Sequence, residues 1–206
     1  MKPKLKFPEI YAATNNKNKL EEFFSFFVSH GIEISIKASP IRLENVENAL
    51  TLEENAFKKA YFLFEEGYKP VFSDDTGLFL PFLDGIPGVY SSRFAGNNAT
   101  YSSNRRKLME LLKELPIEKR RAYFKTVICW INLKGEVHYF QGKVEGFVLT
   151  EERGIHNFGY DPIFLYPPLG KTFGEITLEY KNRISHRSKA LQSFMEFLET
   201  YESIHF

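Results

Sequence analysis

A single cysteine, Cys129, leaves no partner for an intrachain disulfide. Its apolar surroundings, TVICWINL, read as a buried thiol in a reducing compartment. No segment approaches the roughly 20 apolar residues of a membrane span. The first ten residues, MKPKLKFPEI, carry alternating lysines and two prolines in place of the apolar centre of a signal peptide. A cytoplasmic protein without a membrane partner is therefore expected. The net charge of +1 gives no electrostatic reason to bind a polynucleotide. Internal repeats, low-complexity tracts and obvious linkers are missing too. A chain of 206 residues suffices for one domain with a real core, and residues 1–206 are read as that domain.

Hydrophobic residues at 43% and charged residues at 26% are ordinary for a globular chain, but 21 Phe and 11 Tyr are not. Most must fill the core, so each aromatic is read first as packing and only then as a ligand-stacking ring.

Strand and helix patterns alternate. Glu9 to Ala13 reads as a strand. TNNKNK then opens a helix in which Leu20, Phe23, Phe24, Phe27 and Val28 recur at helical spacing until Gly31. Ile32 to Ile36 alternates as a second strand. After the polar ASPIRLENVENA, a helix is expected from Thr51 to Glu66, with Thr51 and Glu54 as a capping box and Gly67 as its stop. A third helix is expected over Ser103 to Leu115, ending at Pro116. Arg121 to Leu133 and Val137 to Leu149 form a hairpin around KGE. A short strand at Ile163 to Leu165 and a helix over Ser185 to Glu202 complete the reading. This order predicts an α/β protein with a mixed central sheet.

Within it, FSDDTGL places Asp74 and Asp75 side by side after an apolar run, with Thr76 and Gly77 following. The segment reads as a short buried strand entering a turn at Gly77. Two adjacent carboxylates repel and lose hydration, which favours a bound cation, Mg²⁺ being the simplest with oxygen ligands; capping aspartates on a solvated turn are the alternative. TNNKNK, residues Thr14, Asn15, Asn16, Lys17, Asn18 and Lys19, sits where a strand hands over to a helix. It can be a phosphate cradle of backbone amides, hydroxyl, amide and ammonium donors, or simply a capped helix start. Glu47 lies near Glu44, Glu53 and Glu54, an acidic cluster that also complements a helix dipole. Asn55 and Lys59 share a helix face, and of Lys58 and Lys59 one is expected inward.

NFGYDPIF offers Phe158, Gly159, Tyr160 and Asp161 as a loop whose exposed rings could stack a base, with Asp161 accepting from the base edge. KNRISHRSKAL gathers Lys181, Arg183, His186, Arg187 and Lys189 at a helix start, where cations oppose the dipole unless an anion or acceptor-rich ligand is present. Two shorter motifs fail. GKT at Gly170 to Thr172 lacks the P-loop glycine five residues earlier, where Leu165 stands. The single Asp75-Thr76-Gly77 would need a symmetric dimer to build an aspartic protease pair.

In order, TNNKNK, ENALTLEENAFKKA, SDDTGL with GIPGVYSSRFAG, FGYDPIF and SHRSKAL resemble the inosine triphosphate pyrophosphatase family over about residues 10 to 192. The resemblance implies Mg²⁺-dependent cleavage of non-canonical purine nucleoside triphosphates between the α and β phosphates, releasing pyrophosphate. It also implies a homodimer of two-lobed α/β subunits with a cleft between the lobes. It assigns Thr14 to Lys19 to the triphosphate, Glu47 and Asp75 to the metal, and Asp75, with Asp74 as an alternative, to proton acceptance. Lys59 falls near the phosphates and Thr76 supplies a hydroxyl. Phe158 to Asp161 with Lys181, His186 and Arg187 fall to base and substrate contacts. Asn15 and Asn157 replace glycines common in the family; asparagine tolerates left-handed backbone. The rival readings are a nucleotide-binding protein without turnover and a dimeric aspartic protease.

Overall fold

The computed structural model describes residues 9–32, 35–43 and 46–205. In chain order its elements are β1 (Ile10–Ala12), α1 (Lys17–Ser29), β2 (Ile36–Ala38), α2 (Leu52–Glu65), β3 (Val71–Phe79), β4 (Pro87–Gly88) and α3 (Tyr101–Leu112). They continue with β5 (Arg121–Ile131), β6 (Val137–Val148), β7 (Phe164–Tyr166), β8 (Lys171–Thr172), α4 (Leu178–Ile184) and α5 (His186–His205). The strands form a mixed sheet in the order β2-β1-β3-β5-β6-β7-β8, with β4 against β3, and helices flank it. This is the expected α/β class. The chain divides into two compact units, residues 1–75, 126–142 and 185–206, and residues 76–125 and 143–184.

In the first unit β1 pairs in parallel with β2, Ile10 opposite Ile36, and with β3, Ala12 opposite Phe72. Helix α1 begins because Asn16, in extended backbone, accepts from the amides of Asn18 and Lys19. Its apolar stripe buries Phe23, Phe26 and Phe27 in a core with Ile10, Phe72, Trp130 and Phe194. Each such side chain contributes about 1.5–3 kcal/mol by leaving water. Helix α2 starts at the expected cap, where Thr51 Oγ1 accepts from the Glu54 amide at 3.1 Å. Its inward face buries Asn55, Ala56, Lys59, Ala60 and Leu63, while Lys58 stays exposed. The strand expected over residues 32–36 appears instead at Ile36–Ala38; residues 33, 34, 44 and 45 lie outside the described set.

The second unit has its own core, including Leu80, Leu108, Leu112, Phe124, Phe164 and Phe173. Strand β3 does not turn at Gly77. It runs on to Phe79 and pairs antiparallel with β4, Leu78 opposite Gly88. Gly77 is needed for that approach, because a Cβ there would sit 2.7 Å from the Gly88 carbonyl oxygen. Helix α3 opens on a capping box between Thr100 and Ser103, two residues earlier than expected. The separate helix α4 was not evident in the sequence, where its seven residues are too few for a periodic signal.

Candidate active site

Successive side chains of a strand leave on opposite faces, so β3 delivers its two acids to different neighbours. Asp74 is fully buried. Its Oδ1 accepts from Lys19 Nζ at 2.9 Å and its Oδ2 from Arg187 Nε at 3.1 Å. Arg187 Nη1 in turn donates to Glu22 on α1. Burial alone would raise the Asp74 carboxyl, but Lys19, Arg187 and Lys59 outweigh it and hold the group well below the usual carboxylate range.

Asp75 faces Lys59, whose Nζ lies 3.5 Å from Asp75 Oδ1 and donates to Glu47 Oε1 and to the Asp74 carbonyl oxygen, each at 2.5 Å. Burial pushes the Asp75 carboxyl up, with Glu47 and Asp74 adding repulsion against the pull of Lys59 and Lys19. Lys59 opposes the Glu47 carboxyl and lowers it. Burial would lower Lys59 itself, but the acids around it dominate, so it stays an ammonium. Helix α2 thus supplies one buried cation to two carboxylates.

That donor set fits a small divalent ion. Mg²⁺ takes one or two protein carboxylates and completes its shell with water and phosphate oxygens. Glu47 and Asp75 keep side-chain exposures of 32% and 9%, against 0% for Asp74. Among the described residues no group of three or more His, Cys, Asp or Glu side chains is arranged as a metal cage. The protease reading fails here: an aspartic dyad shares one proton between two carboxyls, whereas Asp75 sits against an ammonium.

In the strand–helix turn, Thr14 Oγ1 accepts from the Asn16 amide at 3.1 Å, and Lys17 is exposed. Asn15 is a structural tie. Its Nδ2 donates to the Ile41 carbonyl at 3.2 Å and its Oδ1 accepts from the Leu43 amide at 3.0 Å.

In the second unit Phe158 is half-buried, with the Tyr101 ring edge-to-face at 5.5 Å between centroids and Lys181 Nζ 5.0 Å from its ring centre. Lys181 also donates to Asp161, and both are buried. Gly159 adopts φ +54°, the left-handed region. Thr76 is half-buried.

Three of the residues expected to meet substrate are buried. Tyr160 is a core residue, 5% exposed, with its hydroxyl donating to the Ser91 carbonyl at 2.8 Å, and is no free stacking ring. His186 is buried. Arg187 is buried as well, and its Nε and Nη1 donate to Asp74 and Glu22.

Two residues escaped sequence reasoning. Glu22 occupies the buried stripe of α1 between Lys19 and Phe23, and an acid in an apolar phase was its available signal. Arg105 on α3 is buried against Glu152 and the 157–159 backbone, and its exposed-looking neighbours in SSNRRK gave none.

The Ham1 family model matches residues 10–197. A dITP/XTP pyrophosphatase of Thermoanaerobacter sp. (strain X514) is 47% identical over 191 residues, covering 92% of this chain and 96% of the relative. One from Caldanaerobacter subterraneus subsp. tengcongensis is 48% identical over 193 residues, covering 92% and 95%. Among solved structures, the Staphylococcus aureus Ham1 protein superposes with a TM-score of 0.80 at 35% identity, over 94% of this chain and all of its own. The Coxiella burnetii HAM1 protein gives 0.82 at 34%, with the same coverage. With nearly its whole length matched in sequence and in fold, this chain belongs to the Ham1 family.

Proposed function

We propose that this protein hydrolyses inosine, deoxyinosine and xanthosine triphosphates to the monophosphate and pyrophosphate, clearing them from the nucleotide pool. The observation that supports this reading most is Lys59, a buried ammonium shared by Glu47 and Asp75. The dITP/XTP pyrophosphatases among its relatives support it independently.

Water attacks the α phosphorus, the bond to the α–β bridging oxygen breaks, and pyrophosphate leaves. Asp75 accepts the water's proton. Asp74 is unsuited to that task with both oxygens on cations; it fixes Lys19 instead. Lys19 and Lys59 stabilise charge on the departing pyrophosphate. Thr14, Asn16, Lys17, Asn18 and the Thr76 hydroxyl serve the phosphates. Glu47 and Asp75 hold Mg²⁺, which when bound polarises phosphate and lowers the pKa of water. The base is taken by Phe158, Gly159 and the Asp161–Lys181 pair. The protein works as a cytoplasmic homodimer, with residues 1–206 as one catalytic domain.

The test is incubation with inosine, xanthosine, guanosine and adenosine triphosphates and Mg²⁺, resolving pyrophosphate from orthophosphate. Pyrophosphate from the first two is expected. Orthophosphate without pyrophosphate overturns the reading.

A further inference from the structure

We infer that Arg105 is a positioning residue for base recognition, its guanidinium setting the backbone on both sides of Phe158. The inference rests on the hydrolysis proposed above.

Arg105 is 4% exposed and lies one helical turn after Tyr101, so α3 presents both on one face. Its Nε and Nη2 donate to the two carboxylate oxygens of Glu152 at 2.9 and 3.1 Å, a bidentate pair. Its Nη1 donates to the Gly159 carbonyl at 2.8 Å and to the Asn157 carbonyl at 3.3 Å. Those carbonyls bracket Phe158. One planar, rigid cation therefore orients the peptide groups before and after the ring, while Tyr101 packs edge-to-face with it.

The arrangement is costly unless orientation matters. A buried guanidinium gives up hydration, and its carboxylate partner Glu152 keeps a side-chain exposure of 37%. Lysine cannot copy the contact, because a single ammonium lacks the fork that reaches Glu152 and the loop carbonyls together. The adjacent Gly159 is left-handed and has no side chain of its own to pin the loop. A ring placed in advance lets a base stack without ordering the segment first. Losing that preorganisation, about one residue's backbone ordering, weakens binding roughly tenfold. The effect falls on the base and spares the triphosphate end, so it belongs in KM.

Arg105→Met and Arg105→Lys are assayed with inosine triphosphate, and with inorganic tripolyphosphate as a base-free competitive inhibitor. For Arg105→Met the expected result is a KM about tenfold higher, kcat within about twofold of wild type, and an unchanged Ki for tripolyphosphate. Arg105→Lys should fall between it and wild type. An unchanged KM, or equal loss in KM and Ki, overturns the positioning role. Should Arg105→Met not fold, Glu152→Gln decides. It loosens the fork but keeps the cation, and about a threefold rise in KM at constant Ki is expected; no rise, or a matching rise in Ki, overturns the role. Wild-type enzyme that releases no pyrophosphate overturns the proposed hydrolysis, and this inference with it.

Discussion

Asp74 and Asp75 are consecutive in β3, yet their carboxyls are driven in opposite directions, Asp74 down and Asp75 up. The strand's alternation makes this division of labour possible. One acid meets Lys19 and Arg187, and the other meets Lys59 beside Glu47.

The two amide variants should therefore differ in kind. Asp75→Asn removes the proton acceptor, and turnover should fall by about 10²-fold or more. Its stability at neutral pH should match or exceed wild type, because the charged form of Asp75 is disfavoured by folding. Asp74→Asn leaves Lys19 and Arg187 short of a buried counter-charge and should cost about 3–5 kcal/mol. Urea melts beside turnover assays separate the two; similar melts for both variants would contradict the assignment.

Acid sensitivity follows from the same carboxyl. The folded state lowers the Asp74 pKa, so its contribution to stability is complete above the ordinary value of about 3.9 and is lost as pH falls below it. The urea midpoint of wild type should fall progressively below about pH 4, across the window that opens at the unfolded carboxyl's value and runs down to the lowered folded one. Asp74→Asn should show a shallower decline, and parallel slopes would assign the acid sensitivity elsewhere.

Much of this was legible in the sequence because it was local. The Thr51 cap, the inward phase of Phe23 and Phe27 and one inward lysine of Lys58 and Lys59 each lie within a few turns, where periodicity carries the information, although Phe24 and Val28 of the expected stripe are exposed. The partners of Arg187 were not legible. Glu22 is 165 positions away and Asp74 is 113, and no spacing rule links such residues. The cations at the start of α5 did register as a conflict with the helix dipole, but the conflict could not say whether ligand or protein supplied the anion. Gly77 misled for a related reason. A glycine before a loop reads as a turn, whereas here it admits the backbone of β4.

Lys59 is 4% exposed and holds Glu47, Asp75 and the Asp74 carbonyl, so Lys59→Met should lose stability as well as activity. Removing one partner of a buried ion pair typically costs about 3–5 kcal/mol. The two carboxylates left behind repel each other, and a divalent cation relieves that repulsion. Millimolar Mg²⁺ should accordingly raise the melting temperature of Lys59→Met more than that of wild type. Equal shifts would place the ion away from Glu47 and Asp75.

Arg187 offers the sharpest contrast between a base reader and a positioning group. Its Nε and Nη1 bind Asp74 and Glu22, and Asp74 in turn holds Lys19 beside the phosphate turn. Whatever Arg187 contributes through this chain reaches a part of the substrate that inosine and adenosine triphosphates share. Arg187→Ala should lower kcat/KM for both by the same factor, while costing about 3–5 kcal/mol by leaving two acids unpaired. Glu22→Gln, which keeps the shape but removes one charge, should give a smaller loss in the same proportion on both substrates. The assays are run well below the melting temperature of each variant, so that the folded fraction is not the variable. A fall confined to inosine triphosphate would return Arg187 to the base edge, because a donor lost from a keto-binding site penalises only the substrate that carries the keto group.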